Sequence, residues 1–198
     1  MSFLEIVLGI VSILGTIGTF YFGAKAERMA REKQRFSWGD VEEGCRTLNR
    51  TAIGRFKPDI IICFSGPSSI IANLMIQLSN YFVPVYTSVL QKPDILSDRY
   101  FSTQSFEHIV TSQWQLHVPA EIFLDKTKRV LLVDDYVHSG ESLSVLKQKL
   151  LDRGFPVSNV KSCALICSNI AKEANRAPDY FKYLLDNSVF YLPWGKAY

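Results

Sequence analysis

Paired thiols are missing from this chain. Its four cysteines, Cys45, Cys63, Cys163 and Cys167, form no CxxC pair and join no Cys/His ligand cluster. That excludes metal-ribbon and dithiol redox chemistry and leaves each as a small apolar core residue with a reduced thiol. An excess of one charge is missing as well. The 22 Lys+Arg stand against 19 Asp+Glu, a formal net charge of +3, spread along most of the sequence. No nucleic-acid-binding surface is expected from such a balance. There is no internal repeat and no low-complexity tract, so the 198 residues read as one well-packed core with an appendage.

The appendage is defined by a further absence. Residues 3–23, FLEIVLGIVSILGTIGTFYFG, contain no Lys or Arg, and Glu5 is their single charge. A helix needs about 20 apolar residues to cross a hydrocarbon core. Positive charge follows this run rather than preceding it, at Lys25, Arg28, Arg31, Lys33 and Arg35, the reverse of a cleavable secretory signal. The expectation is a transmembrane anchor over 1–23, a charged juxtamembrane stalk over 24–37 that continues the helix, and a folded domain over 38–198. Because flanking Lys and Arg stay on the cytoplasmic side, the protein is expected to be a single-pass membrane protein with its C-terminal domain cytoplasmic. The competing reading, a buried helix of a soluble protein, is disfavoured by apolarity on every face. Gly15, Thr19 and Gly23 recur at every fourth position, a small-residue face suited to a homodimer within the lipid bilayer.

In the domain, Val41, Cys45, Leu48, Ala52 and Phe56 recur at helical steps after a capping residue near Ser37 or Asp40. A strand follows at 60–64, then SGPSS (65–69) and a helix marked by Ile70, Ile71, Leu74, Met75 and Leu78. A second strand is expected at 83–89, and 90–115, polar and without period, as an excursion or short hairpin over the site rather than core. RVLLVDD (129–135) reads as a buried strand; Leu143, Leu146 and Leu150 mark a helix that Gly154 and Pro156 end. Another strand spans 160–166, 179–185 reads as a short helical or turn segment, and VFYLPW (189–194) as a closing strand. Strands alternating with helices at this spacing predict an α/β domain with a parallel sheet flanked by helices.

In such sheets ligands gather outside the carboxyl ends of the strands, where Asp134 and Asp135 fall. Taken singly, one is a helix cap and the other a solvated loop residue. Their combination with His138-Ser139-Gly140-Glu141-Ser142 just before a helix is more pointed, because small residues and unpaired N–H groups make an anion cradle. A sugar whose hydroxyls meet carboxylates and whose phosphate meets the helix N-terminus suits both parts.

VLLVDDYVHSGESL resembles the signature of the type I phosphoribosyltransferases: an aliphatic strand, two acidic residues, a variable stretch, then Thr/Ser-Gly in a phosphate loop. The resemblance runs from about residue 38 to the end and implies that family's fold. It implies that Asp134 and Asp135 hold the ribose hydroxyls of phosphoribosyl pyrophosphate (PRPP), that His138, Ser139, Gly140, Glu141 and Ser142 grip the 5-phosphate, and that Ser65, Gly66, Ser68 and Ser69 occupy the pyrophosphate loop, although Ser68 or Ser69 is as readily a helix cap. It also implies Mg²⁺ between pyrophosphate and ribose, with Asp134 and Asp135 as its protein ligands. Where relatives carry Arg or Lys with Gly-Gly, this chain has Gly66-Pro67 and no basic residue.

The ending, APDYF (177–181) then VFYLPW, is similar to that of the xanthine-guanine and hypoxanthine type of purine phosphoribosyltransferase. That likeness implies Phe190, Tyr191 or Trp194 against a nucleobase, although each aromatic alone is as readily core. His138 stands where 6-oxopurine enzymes place a carboxylate that acts on the purine, and is a candidate catalytic residue with Asp134 and Asp135, since histidine exchanges protons near neutral pH. Ser168 and Asn169 stand where those enzymes present a lysine. The expected function is a membrane-anchored transferase moving ribose 5-phosphate from PRPP to a purine-like base. The alternatives are a catalytically degenerate PRPP or nucleotide sensor or membrane effector, and a scaffold with a vestigial pocket.

Overall fold

The structure, a computed structural model, describes residues 34–79, 81–92, 105–186 and 189–197. The expected membrane span, 3–23, and most of the stalk lie outside these residues. Among the described residues no helix is long and apolar enough to cross a membrane. The chain divides into two units, Ser37–Asn187 and the two ends Met1–Phe36 with Ser188–Tyr198.

In the terminal unit, strand β1 (Gln34–Arg35) pairs in parallel with β10 (Phe190–Leu192), which turns back antiparallel into β11 (Gly195–Ala197). Gln34 and Arg35 are therefore strand, where the sequence predicted the end of a helical stalk. Partnering with β10 overrides their helix propensity.

The larger unit opens with helix α1 (Trp38–Leu48), and its start follows from local chemistry. The Ser37 hydroxyl accepts from Asp40 N at 3.2 Å while the Asp40 carboxylate accepts from Ser37 N at 2.7 Å, a reciprocal capping box. Val41, Cys45 and Leu48 form its buried stripe. The helix widens into a π segment over Asn49–Ile53 and ends after Phe56, where Lys57 turns left-handed at φ 51°. Ala52 stays buried through the widened turn, so the apolar stripe survives the change of period.

Five parallel strands make the main sheet, in the order β3-β2-β7-β8-β9: β2 (Ile60–Cys63), β3 (Val85–Thr87), β7 (Val130–Val137), β8 (Val160–Ser168) and β9 (Tyr180–Leu185). Helices α2 (Gly66–Gln77), α3 (Glu141–Asp152) and the short α4 (Asn169–Glu173) fall between them in sequence. The unbroken aliphatic runs of β2, β7 and β8 suit strands covered on both faces. Cys63, Val133 and Cys163 stand in one row across these three strands. All four thiols are buried and free. Burial pushes Cys63 up to about 12, with the Asp134 charge adding to the shift, so the thiols stay protonated and inert.

A second, antiparallel sheet runs β4-β6-β5, from β4 (Val89–Gln91), β5 (Phe106–Val110) and β6 (Gln115–Pro119). The expected hairpin is β5–β6, but it is not merely an excursion: Ile109, Leu116 and Val118 join the main apolar core. The segment 179–185 is an edge strand rather than a helix or turn. Aromatic and branched residues favour a strand there, and an edge with both faces partly wet shows no clean alternation in sequence.

Asp179 anchors the entry to β9. It accepts from Ser162 N at 2.9 Å, Ser162 Oγ at 2.8 Å, Lys147 Nζ at 2.9 Å and Lys161 Nζ at 3.1 Å. Burial alone would raise its pKa, but these donors outweigh burial and hold the carboxyl below its ordinary value. A depressed folded-state pKa stabilises above the unfolded value and is lost as pH falls through the folded one. Asp179→Asn is expected to cost about 2 kcal/mol at pH 7. In urea unfolding the gap to wild type should close only below the ordinary carboxylate value of 3.8.

Candidate functional site

The carboxyl ends of β2 and β7 bring two loops together. At the end of β2, Ser65 is extended and caps α2, its hydroxyl accepting from Ser68 N at 3.3 Å; Pro67 follows in the first turn, where its missing N–H costs nothing. Ser68 is fully buried. Its hydroxyl lies 2.8 Å from Ser65 Oγ and donates to Asp134 Oδ1 at 2.8 Å, with Asp135 Oδ1 at 3.3 Å. Asp135 N donates to Asp134 Oδ1 at 3.0 Å. A loop 66 residues away in sequence thus holds the acid pair in place.

Burial raises the Asp134 carboxyl well above the ordinary value, the neighbouring Asp135 charge raises it further, and the Ser68 bond opposes both. Two close carboxylates in a sheltered position are costly to keep ionised together. The cost falls away when a cation or a hydroxyl-rich ligand arrives.

Past β7 the chain enters the second loop. Gly140 adopts φ +68°, and a Cβ there would overlap the Arg176 carbonyl oxygen and lie 2.6 Å from the Arg176 Cβ. Only glycine suits both the conformation and the close approach. Glu141 opens α3. Its carboxylate accepts from Ser112 N at 2.7 Å and from the Ser112 hydroxyl in the β5–β6 turn. These donors hold the carboxyl below its usual range, with a smaller contribution from Arg176. Of the residues expected to grip phosphate, Glu141 therefore spends its side chain on Ser112. The Ser139 hydroxyl faces Glu141 N at 3.4 Å, and Ser142 lies half-buried in the first turn of α3.

The expected pyrophosphate-loop residues divide likewise. Ser69 donates its hydroxyl to Gly66 O at 2.5 Å, Ser65 caps, and Ser68 turns to the acids. Gly66 has open space where a Cβ would stand. Phe190 and Tyr191 lie on β10 of the terminal unit, and Trp194 in the turn before β11. Phe190 packs edge-on to Phe36 with centroids 5.9 Å apart, and the Arg35 guanidinium covers the Tyr191 ring at 5.2 Å.

Sequence reasoning missed three contacts. Ser68 was readable as a cap or ligand but not as the partner of the acids. Tyr136 O–H meets His138 Nδ1 at 2.9 Å. Ser168, which caps α4 by accepting from Ala171 N at 3.1 Å, donates its hydroxyl to the His138 carbonyl. The sequence placed it only where relatives present a lysine.

No group of three or more His, Cys, Asp or Glu side chains among the described residues forms a metal cage. Two adjacent carboxylates fit Mg²⁺, which keeps several waters and takes one or two protein carboxylates beside ligand phosphates.

A parallel sheet carrying an acid pair, a glycine turn and a helix start at one strand end defines a phosphoribosyltransferase-type α/β protein. The chain belongs to the phosphoribosyl transferase domain family, which matches residues 37–195. In fold it is similar to a purine phosphoribosyltransferase from Pyrococcus horikoshii Ot3, with TM-score 0.60, 19% identity, and coverage of 84% of this chain and 96% of that one. It is similar also to the xanthine-guanine-hypoxanthine phosphoribosyltransferase of Helicobacter pylori, with TM-score 0.59, 16% identity, and 82% and 94% coverage. A third likeness is to a hypothetical protein from Neisseria gonorrhoeae with bound ppGpp, with TM-score 0.56, 19% identity, and 82% and 89% coverage. No curated protein matches the sequence.

Proposed function

We propose that the domain binds PRPP with Mg²⁺ and transfers ribose 5-phosphate to a purine-like base, held at a membrane by residues 3–23 with the domain on the cytoplasmic side. The observation that carries the reading is the acid pair near the carboxyl end of β7, flanked by the starts of α2 and α3. Asp134 and Asp135 would take the ribose hydroxyls, as carboxylates accept strongly from O–H donors. The N–H groups around Ser139–Ser142 would take the 5-phosphate, and those of 66–69 the pyrophosphate. Mg²⁺, when bound beside Asp134 and Asp135, supplies charge neutralisation for the leaving pyrophosphate. His138 is the group for proton exchange with the base. The apolar run 3–23 and the basic cluster behind it support the anchor, and its small-residue face supports a homodimer.

The test is incubation of the full chain in lipid vesicles with PRPP, Mg²⁺ and a panel of purine and pyrimidine bases. Nucleotide and pyrophosphate in equal amounts are expected with at least one purine; no product with any base rejects the transferase reading.

A second reading, ligand sensing without turnover, is favoured by the loop at 65–69. It carries no basic residue and spends the Ser65, Ser68 and Ser69 hydroxyls on its own helix and the acids. A like fold with bound ppGpp, the Neisseria gonorrhoeae protein, is consistent with a nucleotide in such a role. Saturable nucleotide binding with no pyrophosphate release would select this reading.

A further inference from the structure

Ser168 closes β8 and is fully buried. A hydroxyl taken out of water is costly unless it is hydrogen-bonded, and here two backbone groups satisfy it. Its oxygen accepts from Ala171 N at 3.1 Å, capping α4, and its single hydrogen goes to the His138 carbonyl. Because a carbonyl oxygen only accepts and an N–H only donates, chemistry fixes the direction of both bonds. The side chain is thereby committed to the protein's own backbone rather than turned outward to a base.

A peptide unit is planar, and in the trans form its C=O and N–H point in opposite directions. No peptide bond among the described residues is cis. With the His138 carbonyl drawn toward Ser168, the N–H of Ser139, which shares that peptide unit, is turned away from Ser168. Neither this N–H nor that of Gly140 has a hydrogen-bond partner among the described residues. The connection after β8 meets the loop again at Gly140, where the Arg176 carbonyl oxygen and Cβ fill the space a side chain would take. Two contacts, at His138 and at Gly140, thus buttress the loop from one segment and leave the Ser139 N–H unspent.

We propose that Ser168 is a positioning residue for PRPP: by holding the His138 carbonyl, it aims the Ser139 N–H at the 5-phosphate. This rests on the reading above of the acid pair and its following loop as a PRPP site. An N–H bond to an anionic phosphate is charge-assisted, and a donor whose direction is set beforehand loses little freedom on binding. Ser168 touches no substrate itself and acts through the peptide group it orients.

The test is calorimetry of the full chain in lipid nanodiscs with PRPP, ribose 5-phosphate and pyrophosphate, each with Mg²⁺. It is joined by ¹⁵N–¹H spectra of serine-labelled protein, in which Ser139→Ala assigns the Ser139 amide by loss. Ribose 5-phosphate should move that amide proton downfield in wild type. Ser168→Ala should abolish the movement and weaken ribose 5-phosphate and PRPP each about 10-fold, with pyrophosphate affinity kept within about twofold, because one charge-assisted donor to the 5-phosphate is lost. Ser168→Cys, close in size and a weak donor, should give the same readings and replaces the alanine variant should that one fail to fold. An amide that stays in place although wild type binds ribose 5-phosphate, an unchanged affinity in Ser168→Ala, or an equal loss with pyrophosphate, as a merely structural role would produce, overturns the proposal and leaves the PRPP reading standing. Wild type that binds neither PRPP nor ribose 5-phosphate overturns that reading instead, and the proposal with it.

Discussion

Replacing Asp134 and Asp135 together by Asn weakens PRPP binding by about 100-fold or more, since each carboxylate contributes charge-assisted bonds of about 1.5–3 kcal/mol. Titration calorimetry reads this directly, and unchanged affinity would place the ligand elsewhere. The same site predicts an opposite effect on stability. The Asp134 pKa is raised in the folded protein, by burial first and by Asp135 second. A raised folded-state pKa stabilises fully below the unfolded value, and the contribution disappears as pH rises through the folded one. Above the ordinary carboxylate value of 3.8 the Asp134 carboxyl therefore weighs increasingly against the fold. Asp134→Asn should melt at a higher temperature than wild type there, with the advantage vanishing in acid. Ser68 can still donate to the amide oxygen of the substituted side chain, so the gain need not be offset by a lost hydrogen bond. A variant more stable and less able to bind would mark the pair as kept for function rather than for folding.

Gly140→Ala carries the second large effect. Ala at φ +68° costs about 1–2 kcal/mol by itself. The added methyl would also overlap the Arg176 carbonyl oxygen, a backbone atom that cannot turn aside as a side-chain end can. Either the loop or the segment after α4 must move. The variant should lose about 2 kcal/mol or more in thermal or urea unfolding. It should bind PRPP at least about 10-fold more weakly, because the N–H groups before α3 would no longer converge. Loss of stability with unchanged affinity would show that the Gly140 loop does not touch the phosphate.

The parts legible in the sequence were those whose physics is local. A capping residue near Ser37 or Asp40 is expected, and the structure makes Ser37 the cap, with Asp40 closing a capping box. VLLVDD announces a buried strand, and β7 is that strand at the centre of the sheet, although it runs on past the acid pair to Val137. The small Ser139-Gly140 pair announces a turn, and the structure makes it with Gly140 at a positive φ. Contacts between distant segments were not legible. Nothing near Ser68 states that its hydroxyl will meet carboxylates on another strand, and the helix cap it helps to form is a sufficient local explanation of its presence. Tyr136 and His138 are only two residues apart, but the sequence reading ended the strand at 135, and their contact follows from β7 continuing to Val137. Glu141 reads as part of an anion loop, yet Ser112 draws its carboxylate to the β5–β6 turn. The edge strand β9 escaped because a strand with one neighbour and two partly wet faces shows neither clean alternation nor an unbroken apolar run.

Calorimetric titration of the full chain with PRPP, in the presence and absence of Mg²⁺, tests the central claim most directly. Saturable binding of one PRPP per chain that depends on Mg²⁺ is the predicted result. A flat titration at millimolar PRPP with Mg²⁺ present would mean that Ser68 and the acid pair satisfy one another and receive no phosphoribosyl ligand.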